Sequence, residues 1–322
     1  MKYKQENTLT NKAPLHLVCD SAHDLFFQVL QAFSESEVVS SVRNSKSVGS
    51  FWGMVDRPTK ELRYVTFVLE NPRDRLINAS YFLIEDIIPR TLLCTLSDEI
   101  DLQAIGFYNS RAFEFSDDGR TVSSNYGYRV RHLGNVDQIQ EVIRQLQQDP
   151  NSRRAVIHIH AVGDSDIKYS PCIDSLHFLI RNGALECQSL WRSENAVTLL
   201  PINIFEFTML QELIASELEI PVGRYVHTVT SLHYYLDEEK RLHRTLEELA
   251  MKPRPEPMGC MPYKSLREIE LLRGFEKIAR CHLDAGSDKF LELSDYWKNI
   301  ADVITCAVVK KEKACFHNAS IA

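Results

Sequence analysis

Residues 171–193 read Pro171-Cys172-Ile173-Asp174-Ser175-Leu176-His177-Phe178-Leu179-Ile180-Arg181-Asn182-Gly183-Ala184-Leu185-Glu186-Cys187-Gln188-Ser189-Leu190-Trp191-Arg192-Ser193. Two apolar stretches, Leu176–Ile180 and Leu185–Trp191, flank Arg181-Asn182-Gly183. Asn-Gly between hydrophobic runs is a strong hairpin signal, because both residues tolerate positive φ. The segment is therefore predicted as two antiparallel strands. Upstream, Ile139, Val142, Ile143 and Leu146 recur at helical spacing over Asp137–Gln148. Asp149-Pro150-Asn151-Ser152 ends that helix, and Ala155–His160 alternates as a further strand. Downstream, Ile204–Leu218 reads as a strongly apolar helix, Pro221–Tyr235 as a turn plus strand, and Glu238–Ala250 as an amphipathic helix.

Further out the pattern is thinner. Ala22 to about Phe33 reads as a helix with Leu25, Phe26, Val29, Leu30 and Phe33 on one face. Ser41–Ser50 reads as a polar loop, Leu62–Leu69 as a strand and residues 76–88 as a buried helix. Lys252–Pro257, with three prolines, is a rigid connector. Ser265–Cys281 and Phe290–Val309 follow as helices. Strands joined by hairpins, with helices between them but no βαβ rhythm, predict an α+β fold. The expected organisation is an N-terminal arm (1–20), one main domain (21–257) and a helical C-terminal segment packed on it (258–322).

The hairpin also frames the chemistry. Cys172 opens it and Arg192-Ser193 closes it, while Arg153-Arg154 precede it by about twenty residues. A thiol among guanidinium groups suits attack on an electron-poor ring that carries a phosphate. The net charge of -7 over 322 residues argues against a surface that coats nucleic acid, so an anionic ligand needs a local basic pocket. The 8 cysteines form no CxxC pair, which argues against a zinc knuckle. His158 and His160 lack a third ligand at suitable spacing, so no metal is expected. Neither an apolar leader nor a membrane-spanning run is visible, and a reduced, cytoplasmic chain is expected.

Between Tyr126 and Pro257 the chain resembles thymidylate synthase and the related pyrimidine nucleotide hydroxymethylases. The matching strings are Asn125-Tyr126-Gly127, Asp149 to Arg154, Pro171-Cys172, Gly183 to Gln188, Arg192-Ser193, Leu200 to Ile204, Val222-Gly223, His233-Tyr234-Tyr235 and Pro253-Arg254-Pro255. Singly they are weak, but their order is specific. The resemblance implies a thymidylate-synthase-like fold, with a mixed sheet whose face packs against a second copy. It makes Cys172 the nucleophile, its thiol pKa lowered by Arg192, and Tyr126 the residue that helps remove the carbon 5 proton. Arg153, Arg154, Arg192 and Ser193 become phosphate ligands, the first two reaching the partner's site in a homodimer, with Arg43 completing the cluster. Asn203 would read the base edge, favouring uracil, although it also suits a helix N-cap before Ile204. His233 and Tyr235 would hold the sugar hydroxyls.

The family's one-carbon donor is 5,10-methylenetetrahydrofolate, and here the chain departs from the pattern. The family's catalytic glutamate falls on Ile77–Tyr81, which holds no acid, with Glu85 and Asp86 a register shift away. The pterin-holding aspartate becomes Asn195, with Glu194 beside it expected to point elsewhere. A tryptophan-rich segment is replaced by Phe107 and Tyr108, and the closing C-terminal tail is replaced. Ile173 follows the thiol where the family usually has His. The nucleotide half is kept and the folate half is eroded. Three functions stay open. The first is one-carbon transfer to carbon 5 of a pyrimidine nucleoside monophosphate, with hydroxymethylation favoured over methylation. The second is a folate-independent, Cys172-dependent reaction on the same nucleotide, such as loss of a substituent or glycosidic cleavage. The third is a non-catalytic nucleotide-binding dimer.

Overall fold

The computed structural model describes residues 14–33, 38–48, 51–164, 167, 169–282 and 292–319; at 38–48, 51–56 and 314–319 only the backbone is described. Among these residues, eight strands form one mixed sheet. They are β1 (His16–Cys19), β2 (Val38–Val48), β3 (Phe51–Leu69), β4 (Val156–His158), β5 (Ile173–Arg181), β6 (Ala184–Trp191), β7 (Glu194–Asn195) and β8 (Val222–Tyr235). The main path runs β1-β3-β8-β6-β5-β4, with β2 on β3 and β7 on β8. β1 pairs parallel with β3, and β6 and β7 pair parallel with β8; the remaining neighbours are antiparallel. The β5–β6 hairpin turns at Asn182 (φ 52°) and Gly183 (φ 75°), as the Asn-Gly pair predicts.

The helices are α1 (Ala22–Ala32), α2 (Ile84–Thr91), α3 (Leu102–Tyr108), α4 (Tyr126–His132), α5 (Gln138–Gln148), α6 (Leu200–Leu218), α7 (Glu239–Met251), α8 (Leu266–Cys281) and α9 (Asp295–Ala319). The Asp137 carboxylate accepts from the Ile139 and Gln140 amides and starts α5. α6 is buried nearly all round, which explains its lack of a polar stripe. Its polar residues are each engaged internally. The Gln211 amide donates to the Leu185, Gly223 and Arg224 carbonyls of β6 and β8. Glu212 pairs with buried Arg75, and Glu206 with Arg90. α6 thus spans the core and binds the sheet to the segment around α2.

The C-terminal helices pack against this core, with Leu272, Trp297 and Ile304 buried among the main apolar cluster. Ala307 and Val308 of α9 pack with Leu93, Leu102, Ile105 and Tyr108 in a second apolar cluster. The Met261 amide donates to Glu212, tying residues that follow the proline connector to α6.

Several elements differ from expectation. Residues 41–48, read as loop, lie in β2, where Val42–Val48 pair with Phe51–Arg57 of β3. A polar stretch can form a strand because the ladder uses only backbone groups. His16–Cys19, assigned to the arm, is the strand β1 and bonds to β3; residues 1–13 lie outside the described residues. The helix expected over 76–88 is confined to Ile84–Thr91. Polar contacts hold the preceding segment irregular: Ser80 donates to Glu248 through both its amide and hydroxyl, and Asn78 donates to the Pro253 carbonyl. α6 starts at Leu200 with Pro201 in its first turn, so Asn203 sits inside the helix and is not its N-cap.

Candidate active site

Cys172 sits at the entrance to β5, and the first residue past β6 returns to it. The Arg192 amide donates to the Cys172 carbonyl at 3.0 Å. Its guanidinium donates from Nε to the Pro171 carbonyl at 3.1 Å and from Nη2 to the Ser170 carbonyl at 3.0 Å. The arginine is thereby oriented by the loop that carries the sulfur. The resemblance implies a thiol pKa lowered by Arg192; Arg192 acts in that direction, but the net shift is upward. Burial pushes the Cys172 thiol above its ordinary value, Arg192 opposes this, and Glu194 and Asp174 reinforce it. Desolvation and two carboxylates outweigh a guanidinium that is already donating to carbonyls.

β7 brings the next residues alongside β8. Asn195 lies opposite His233, and the Ala196 amide donates to the His233 carbonyl at 2.7 Å. The Ser193 hydroxyl lies 3.4 Å from His233 Nδ1. His233 and Tyr235 occupy one face of β8, with ring centroids 5.2 Å apart. Burial depresses the His233 imidazole pKa, so the neutral ring is favoured. Tyr235 is close enough to feel the charge of Cys172. Arg57 lies over the Tyr235 ring at 3.5 Å and pairs with Asp237 at 2.5 Å. Sequence reading missed Arg57; its one signal is an isolated cation in the extended stretch that pairs with β8.

Tyr126 heads α4 and meets Trp191 edge-on at 6.2 Å and Phe207 at 5.5 Å. Burial raises its phenol well above the ordinary value, and the charges of Cys172, Glu206, Arg90 and Glu194 act on it. Gly127 beside it is obligatory on steric grounds, because a Cβ there would lie 1.8 Å from the Ser97 carbonyl oxygen.

Asn203 and its surroundings form the least expected part of the site. Its Nδ2 donates to Glu194 Oε1 at 2.6 Å, while Oδ1 is buried without a partner. Glu194, expected to point elsewhere, is turned inward and also meets His227 Nε2 at 2.6 Å. His227 Nδ1 meets the Ser189 and Tyr225 hydroxyls, each at 3.1 Å. Glu194 and His227 escape a sequence reading because no periodicity tells which carboxylate meets which imidazole across the sheet.

Cys172, Tyr126, Arg192, Ser193, His233 and Tyr235 are thus linked by direct contacts or mutual charge effects, and Asn203 joins them only through Glu194. Other candidates stand apart. Arg153 and Arg154 are exposed between α5 and β4, in a groove lined also by Arg144, Gln148 and Asp149. Their guanidiniums have no ion pair among the described residues. The Arg43 backbone lies in β2 opposite Asp56, and its side chain is outside the described residues. Asn195 is committed internally: Oδ1 accepts from the Val197 and Thr198 amides, and Nδ2 donates to Glu238 at 2.7 Å. The Tyr108 hydroxyl donates to Glu276, and its ring is buried in the second cluster against Phe107. Asp86 pairs with Lys310 and Lys311 of α9. The buried carboxylate near Tyr126 comes instead from α6, where Glu206 Oε1 accepts from Arg90 Nε at 2.8 Å and Oε2 from Thr95 at 3.2 Å. Among the described residues no three His, Cys, Asp or Glu side chains gather as a metal site, and no helix is long and apolar enough to cross a membrane.

A mixed sheet with a loop-borne thiol, a guanidinium beside it and a buried phenol defines an enzyme of the thymidylate-synthase class. The thymidylate synthase family model matches residues 92–276, more than half of the chain, and the chain belongs to that family. Its fold is similar to that of the thermostable thymidylate synthase A from Bacillus subtilis. The TM-score is 0.58 and identity 18%, over 74% of this chain and 86% of that one.

Proposed function

We propose that the chain activates carbon 5 of a pyrimidine nucleoside monophosphate for one-carbon transfer, with hydroxymethylation as the outcome. The observation that supports this reading is the clustering of Cys172, Arg192 and Tyr126 with Asn203, His233 and Tyr235, which this reading assigns to the base edge and the sugar. Cys172, once deprotonated, adds to carbon 6. The C5=C6 pair moves toward the carbon 4 oxygen, and carbon 5 becomes the nucleophile toward a carbon unit at the formaldehyde level. Loss of the carbon 5 proton, with departure of the amine leaving group that the carbon unit carried, leaves an exocyclic methylene while the sulfur stays on carbon 6. Water adds to the methylene, and expulsion of the Cys172 thiolate then restores the C5=C6 bond of the hydroxymethyl product. Arg192 stabilises the thiolate and is a phosphate ligand with Ser193. A second copy supplies Arg153 and Arg154, which explains why both point to solvent in one chain. The half-buried outer face of β5, β6 and β8, with Leu179, Leu190 and Val226, is the surface for that copy.

The family's donor, methylenetetrahydrofolate, fits less well. Asn195 has no acceptor left for a pterin, and Tyr108 is sealed against Glu276. This misfit favours a second reading. In that reading Cys172 adds to carbon 6 and promotes exchange or loss at carbon 5 without a folate. Tritium release from carbon 5 of uridine and deoxyuridine monophosphates, with and without methylenetetrahydrofolate, separates the two. Release only with folate supports transfer; release without it supports the second reading. Cys172→Ala should abolish release in either case while changing nucleotide affinity only a few-fold. An active Cys172→Ala variant overturns the nucleophile.

A further inference from the structure

An asparagine amide is pseudo-symmetric. In one orientation its edge matches the uracil imide, donating to the carbon 4 oxygen and accepting from N3–H. Rotated by half a turn, the same edge matches cytosine, accepting from the 4-amino group and donating to N3. An Asn free to rotate therefore discriminates poorly. We infer that Glu194 is the specificity-determining residue of the base pocket, because it removes that rotation from Asn203. The inference rests on the nucleotide reading proposed above.

The hydrogen-bond directions follow one another. Trp191 Nε1, a donor only, gives to Ser189 Oγ at 2.9 Å. The Ser189 and Tyr225 hydroxyls lie 2.8 Å apart, and each faces His227 Nδ1. A hydroxyl proton on Nδ1 leaves the imidazole proton on Nε2, which donates to Glu194 Oε2. The carboxylate, already accepting from His227, accepts again at Oε1, and only Nδ2 of Asn203 can donate to it. Rotating the amide would set Oδ1 against a carboxylate oxygen at the same short distance. Glu194, Ser189 and His227 are fully buried, so water cannot relieve that repulsion.

The anchored amide keeps one N–H and the unpartnered, buried Oδ1. Leaving such an acceptor unpaired is costly, so a ligand N–H should supply its partner. Uracil N3–H is that donor, and the remaining Nδ2 proton serves the carbon 4 oxygen. Glu194→Gln removes the constraint, because a Gln amide can accept from Nδ2 or donate to Oδ1. Both orientations of Asn203 become available.

The test is calorimetric binding of uridine, deoxyuridine, cytidine and deoxycytidine monophosphates to the full chain and to Glu194→Gln. The expected result is at least a tenfold preference for the uracil nucleotides in the wild type, falling to within about threefold in the variant. An unchanged ratio, or a wild type that binds both bases equally, overturns the inference while leaving the nucleotide site intact. No binding of any of the four by the wild type overturns the nucleotide reading itself. If the variant does not fold, the wild type still decides. The Asn203 side-chain amide protons, followed by NMR, should stay protected from exchange and keep their shift pattern with either nucleotide bound. An amide that inverts between uracil- and cytosine-bound forms refutes the lock.

Discussion

Glu206 offers the sharpest quantitative test of how the site is built. Its side chain is fully buried, accepts from Arg90 and Thr95, and bears electrostatically on Tyr126. Glu206→Leu would leave the Arg90 guanidinium without a counter-ion. Breaking one partner of a buried pair costs about 3–5 kcal/mol. Arg90 keeps 21% of its side chain exposed, so the low end applies, about 3 kcal/mol. With a urea slope of about 3 kcal/mol/M, the midpoint should fall by about 1 M. Replacing both partners, Arg90→Met with Glu206→Leu, should recover stability to within about 1 kcal/mol, because a buried pair is worth little against apolar packing. Catalysis should not recover. If Glu206 positions the proton path at Tyr126, the double variant loses about 100-fold or more in tritium release, the usual scale for acid–base assistance. Equilibrium denaturation and the release assay on the same preparations give both numbers. A double variant that is stable and releases tritium at the wild-type rate refutes any role beyond packing.

Two further outcomes follow from charge. Burial holds the Cys172 thiol above its ordinary range, so the thiolate is scarce at neutral pH and grows about tenfold per unit up to its pKa. Iodoacetamide labelling of the Cys172 peptide, read by mass spectrometry, should therefore keep rising beyond pH 9; a plateau near pH 7 contradicts the burial argument. Arg153→Ala with Arg154→Ala should weaken nucleoside monophosphate binding by about 3 kcal/mol, roughly a hundredfold, and leave the phosphate-free nucleoside unaffected. At nucleotide concentrations too low to occupy that double variant, mixing it with inactive Cys172→Ala should restore about a quarter of wild-type activity if the arginines cross between subunits. No restoration means that each chain completes its own site.

What could be read in advance divides along a physical line. The β5–β6 hairpin was legible because Asn182 and Gly183 must turn with positive φ and the flanking residues alternate. Cys172, Arg192, Ser193, Asn203, His233 and Tyr235 were picked out as members of ordered motifs, and the contacts that gather them are short-range within those motifs or across one sheet. Glu206 and Arg90 were not: they are separated by 116 positions, and each alone resembles an ordinary helical charge. The expected acid was sought near residues 76–84, a segment that bends around Glu248, whereas the buried carboxylate that acts on Tyr126 with Arg90 beside it belongs to α6. Nor could the sequence weigh Arg192 against burial at Cys172. That balance depends on how fully the sulfur is desolvated and on where Glu194 and Asp174 point.

The phenol of Tyr126 carries a consequence for proton movement. Its raised pKa keeps it a neutral hydroxyl at working pH: burial and the negative charges of Glu206, Glu194 and a Cys172 thiolate oppose its ionisation, and Arg90 only partly offsets them. A neutral hydroxyl is a poor base by itself; it can pass a proton only by accepting one as it gives one up. Two carboxylates, Glu206 and Glu194, act electrostatically on it and are the candidate acceptors. Glu194 is occupied by His227 and Asn203, while Glu206 is held by Arg90 and Thr95 on the side of Tyr126. Tyr126→Phe should therefore spare the steps before carbon 5 deprotonation and suppress those after it. Nucleotide binding and covalent capture of a 5-fluoro-pyrimidine nucleotide by Cys172, seen as a mass adduct, should persist, while tritium release falls about 100-fold or more. Loss of the adduct together with tritium release would place Tyr126 in the activation of the thiol instead, and the relay through Glu206 would have no support.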